Sequence, residues 1–73
     1  MVTFFHVVNF TAGFPAIMVR NLPTEAAAHD VLPHFPGATV VTEQVATTDS
    51  ARLGQIDREI TADNLAEVAA MQR

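Results

Sequence analysis

The sequence predicts a small α+β domain of order ββαββα, an antiparallel sheet of about four strands with two helices packed on one face. Three observations predict it. Stretches rich in β-branched and aromatic residues at 2–10, 16–20 and 38–46 are bounded by turn residues, which is the pattern of strands. Between the second and third, Thr24 and Glu25 open an alanine-rich stretch that Pro33 closes, a helix with both ends marked. Thr61 and Asp63 give a second helix start before Leu65, Val68 and Ala69.

The first strand, residues 2–10, alternates imperfectly. Phe4, His6, Val8 and Phe10 share one face, and Thr3, Phe5, Val7 and Asn9 share the other. Both faces carry large apolar groups. One is expected to meet the domain's own helices, and the other to be covered by a second molecule. Residues 11–15 make a turn around Gly13 and Pro15, and 16–20 form a second strand antiparallel to the first.

The helix over 25–32 places Ala27, Ala28, Val31, Leu32 and Phe35 along its buried stripe. Pro33 removes a donor and Pro36-Gly37 completes the break. The third strand spans 38–46, and 47–50 is a turn cluster. Residues 52–60 fit two patterns. Alternation of Gly54, Ile56, Arg58 and Ile60 against Leu53, Gln55, Asp57 and Glu59 suits a strand, whereas Leu53, Ile56 and Ile60 fall at helical spacing. Gly54 weakens a short helix and 47–50 suits a hairpin loop, so the strand is expected.

The 73 residues allow one domain, 1–73. A chain this short buries only roughly 60% of its unfolded surface, so its core is marginal alone. It contains no cysteine, which excludes disulfides and thiolate metal sites. Oligomerisation is a usual remaining support, and an apolar content of 49% agrees with a protein interface.

Eight acids stand against four arginines and no lysine, for a net charge of −4. That balance argues against nucleic acid, which requires clustered cations. The lack of lysine beside abundant alanine, valine and threonine points to a GC-rich genome, such as that of an actinobacterium or its phages. Residues 2–19 carry no charged side chain, but no Lys or Arg precedes the run. His6, Asn9, Thr11, Gly13 and Pro15 interrupt it. Neither a signal peptide nor a membrane span is expected, and the location is expected to be cytoplasmic.

Few residues suggest chemistry. His6 lies mid-strand among apolar neighbours and reads either as a base in an apolar pocket or as a core or interface histidine hydrogen-bonded to a backbone carbonyl. The second reading is favoured because spacing assigns it no acid. Glu25, His29, Asp30 and His34 form the one polar cluster, with His29 and His34 as weak metal candidates. Their spacing across a proline matches no zinc pattern, and ion pairs on an exposed helix explain them. No metal or cofactor is expected. Asp57, Arg58 and Glu59 read as a solvated or intermolecular charge cluster. Ser50 lacks a nucleophile's surroundings, and the three glycines are too dispersed for a phosphate loop.

The run His6 to Phe10 resembles the first strand of dimeric α+β barrel proteins. The turn and second strand that follow stand where that family has a long helix, so no fold or residue role is carried over. Small tautomerases of similar length depend on a proline at position 2, where this chain has Val2.

The expectation is therefore a non-enzymatic protein-binding module that forms a homo-oligomer or regulates or inhibits a larger protein. Phe4, Phe5, Val7, Phe10 and Phe14 are its expected contact residues. Two alternatives stand beside it. One is a homo-oligomeric enzyme or ligand-binding protein with a histidine in an intersubunit pocket. The other is a structural subunit of a larger assembly such as a virion.

Overall fold

In the computed structural model, residues 1–10 and 13–72 are described. Thr11 and Ala12 of the expected first turn lie outside the described residues, as does Arg73.

Strand β1 spans Val2–Asn9 and β2 spans Ala16–Leu22, followed by helix α1 at Glu25–Val31. Thr24 caps α1 as its sequence implies, its hydroxyl accepting the Ala27 N–H at 3.1 Å. At Pro33 the helix tightens into one 3₁₀ turn, Leu32–His34, because proline has no N–H for an α-helical bond. Gly37 takes the positive φ of 85° that turns the chain into β3, Ala38–Val45.

The sheet has three strands in the order β2-β1-β3, with β1 antiparallel to both neighbours. The β1–β3 ladder is regular from Val2 opposite Val45 to Asn9 opposite Ala38. The β1–β2 ladder is not. Between Leu22, opposite Phe5, and Ile17, opposite Val8, β2 carries two extra residues and so bulges twice. The first bulge holds Asn21 at φ 62°, a left-handed conformation that asparagine tolerates better than most residues.

The expected fourth strand is instead part of a helix. Helix α2 runs unbroken from Ser50 to Met71 and takes in both the expected strand at 52–60 and the expected last helix. Asp49 is the true N-cap, accepting the Arg52 N–H at 3.1 Å. Thr61 starts nothing. Its hydroxyl donates to the carbonyl of Asp57 at 3.0 Å, so it sits inside the helix bonded one turn back. Gly54 weakens the helix by about 1 kcal/mol relative to alanine. The side-chain bonds that Arg52 and Glu59 make from helical spacing outweigh it. The order is thus ββαβα, an α+β domain with a three-stranded antiparallel sheet.

The helices also do not share a face. Val2, Phe4, His6 and Val8 of β1 lie on the same side as Val41, Glu43 and Val45 of β3, and α2 bonds to Glu43 on that side. The α1 helix contacts β1 and β2 from the other side, where Phe5, Val7, Val19 and Leu22 point. The core is accordingly split. Val7 and Ala28 are fully buried where α1 meets the sheet, while Val45 and Ile56 are buried where α2 meets it. Each layer is thin, and α2 covers only part of its face.

Candidate functional site

Where α2 meets the sheet, side chains from all three strands and the helix form one polar chain. The Nε2–H of His6 donates to Glu43 Oε1 at 2.9 Å. Arg52 grips the same carboxylate with two bonds, Nε to Oε2 at 2.8 Å and Nη2 to Oε1 at 2.7 Å. Its Nη1 donates to Glu59 at 3.2 Å. Glu59 also pairs with Arg20 at 2.9 Å, and Arg20 donates twice to Asp63, at 3.1 and 3.3 Å. Helical spacing makes this possible: Arg52, Ile56, Glu59 and Asp63 fall on one side of α2, so ion pairs flank the one buried apolar anchor.

The tautomer of His6 follows from its neighbours. Its Nδ1 accepts the backbone N–H of bulged Asn21 at 3.0 Å, so that nitrogen carries the lone pair. The proton therefore sits on Nε2, facing Glu43. Both ring nitrogens are engaged, and neither offers a free lone pair to a substrate.

Charge fixes the rest. The bonds from Arg52, with that from His6, hold the Glu43 carboxyl at about 2, well below its ordinary 4.5, against the opposing effect of desolvation. The Arg52 guanidinium is raised in turn, chiefly by its bond to Glu43, and Arg20 is raised chiefly by Asp63. Both arginines are committed to carboxylates of this chain.

Two cavities border the network. One, of about 320 Å³, opens on the sheet side that α2 leaves uncovered. His6, Glu43 and Arg52 line it at one end and Val8, Ile17 and Val41 at the other. A second, of about 530 Å³, lies between β2 and the distal part of α2, against Met18, Leu22, Ile60 and Asn64. The Asn21 side-chain amide is buried near both, and neither its oxygen nor its nitrogen has a partner among the described residues.

The five expected contact residues separate by face. Val7 is fully buried beneath α1, and Phe5, on the same side, is half-buried. Phe4 is half-buried on the α2 side. Phe10 lines the smaller cavity and is 55% exposed, and Phe14, in the connection to β2, is 77% exposed. Around them Ile17, 60% exposed, and Val41 complete an apolar patch that borders the polar chain of Glu43, Arg52, Glu59 and Arg20. His29 pairs with Glu25 at 3.4 Å on exposed α1, and His34 sits exposed in the 3₁₀ turn. Among the described residues, no three His, Asp or Glu side chains converge as a metal site.

Sequence reasoning missed Glu43, Arg52, Glu59, Arg20 and Asn21. A signal for the α2 members was present in the spacing of Arg52, Glu59 and Asp63 around Ile56, and it becomes visible once 52–60 is read as helix. Nothing in the sequence announces the bulge that aims the Asn21 N–H at His6. No helix among the described residues is long and apolar enough to cross a membrane. No family model matches the chain, and no curated protein and no solved structure is significantly similar to it.

Proposed function

We propose that this protein is a small non-enzymatic binding module that associates with a second copy of itself through the open part of its sheet. The observation that carries this reading is the exposed apolar side chains of Phe10, Ile17 and Val41, with Phe14 beside them, on a face that α2 only partly covers. A sheet face of a stable domain is normally covered by another layer. The accessible area supports the same reading. The chain exposes 5195 Å² at 7.9 kDa, where a compact monomer of that mass exposes roughly 4,400 Å². The excess, roughly 800 Å², is about what each partner loses at an interface of ordinary size. His6 supports the non-enzymatic part, since both its nitrogens serve the fold. The test is the native mass of the purified chain beside that of Phe10→Ala and Phe14→Ala. A wild-type pair that each substitution weakens without altering the circular dichroism supports the proposal. A wild-type chain that remains single at high concentration overturns it.

A second reading, a homo-oligomeric ligand-binding protein, is favoured by the 320 Å³ cavity that runs from the apolar patch to His6. In that case His6→Gln removes ligand binding while the pair persists. In the first, it changes stability only.

A further inference from the structure

The open sheet is not the only surface left without cover. Every described residue from Thr61 to Gln72 is exposed, among them Leu65 at 67%, Val68 at 50% and Met71 at 78%. This half of α2 continues the helix beyond the part packed on the sheet, so its apolar side chains meet solvent. Its apolar side cannot be covered by its own sheet. At roughly 100° per residue, Leu65 and Val68 lie about 150° around the helix from the line of Arg52, Ile56, Glu59 and Asp63 that faces the sheet. The rest of the fold supplies a receptor of matching character. On the α1 side, a helix lies across the strands and buries them. On the α2 side, the far half of the sheet lacks that helix.

Resting on the self-association proposed above, we infer that the distal half of α2 is an exchanged arm. In a two-fold pair, Leu65, Val68 and Met71 of each copy lie over Phe10, Ile17 and Val41 of the other. The contact is reciprocal, as two-fold symmetry requires, so one arrangement covers both apolar surfaces twice. Pairing sheet to sheet would leave the arms exposed, and pairing arm to arm would leave the sheets exposed. The side chains of the receiving patch itself are apolar, and Glu43 and Glu59, which line the same cavity, are held by Arg52 and Arg20.

Reciprocity gives a test by complementation. The arm variant Leu65→Asp/Val68→Asp and the face variant Ile17→Asp change exposed positions, and circular dichroism checks that each is folded. Sedimentation equilibrium is expected to show each variant pairing at least roughly 100-fold more weakly than wild type, the loss that placing charges in an apolar contact produces. An equimolar mixture is expected to recover at least roughly tenfold, because one intact arm then meets one intact face. An arm variant that pairs like wild type, or a mixture no tighter than its components, overturns the exchange while leaving self-association intact. A wild-type chain that never pairs overturns both. The absence of cysteine allows a second measurement that tolerates weak pairing. Ile17→Cys/Val68→Cys is expected to form a covalent two-chain species on mild oxidation, and Ile17→Cys alone is not. Equal cross-linking of the two also overturns the exchange.

Discussion

Three residues show how closely function-like chemistry and plain structure resemble each other here. His6 has the burial and the carboxylate neighbour of a general base, yet its lone pair is taken by the Asn21 N–H and its proton by Glu43. Glu43 is the centre of the arrangement. Its carboxyl titrates at about 2 in the folded protein instead of 4.5. A lowered acid contributes stability above its unfolded value and loses it as pH falls through the folded one. Unfolding free energy should therefore fall as pH drops from about 4.5 to about 2, and Glu43→Gln should flatten that dependence in acid titrations followed by circular dichroism. Arg52→Met should destabilise by about 1–2 kcal/mol and bring the Glu43 carboxyl back toward its ordinary range, readable by carboxyl NMR. Asn21 is held at φ 62° with its amide buried and, among the described residues, unpartnered. Asn21→Gly relieves both, whereas Asn21→Ala keeps a Cβ in left-handed backbone. Glycine should be the more stable variant by about 1 kcal/mol in denaturant melts.

Among the elements, α2 departs furthest from expectation, and the reason is physical. β1, β2, α1 and β3 were legible because each declares itself locally, through β-branched runs, the Thr24 cap or Pro33. The 52–60 segment has no such local signal. Alternating and helical patterns are both present in it, and tertiary bonds decide between them. Those bonds join Arg52 and Glu59, two turns apart on one helical face, to Glu43 and Arg20 on two different strands. Thr61 misled for a related reason, since a threonine that caps in one setting bonds back to the preceding turn in another. Gly54 remains an imperfection. An added Cβ would meet only the flexible end of Arg58, at 3.5 Å, and φ is not positive there. Gly54→Ala should raise stability by about 0.5–1 kcal/mol, read as an increase of several degrees in Tm. A loss of stability would mean that the α2 backbone is not a regular helix at that point.

For the molecule as a whole, the parts do not close around a single core. The radius of gyration is 13.3 Å, against about 11 Å for a compact chain of this length. The far half of the sheet and the far half of α2 both stand uncovered. Phe10 and Phe14 were legible as apolar candidates from their place in and beside an apolar strand, and both are exposed. Ile17 and Val41 were not, because their exposure depends on where α2 stops covering the sheet.

The most direct test of self-association is the native mass of the wild-type chain by light scattering, from micromolar to millimolar concentration. The account predicts a species of twice 7.9 kDa that dissociates on dilution and is lost in Ile17→Asp. A single chain of 7.9 kDa at every concentration would contradict it.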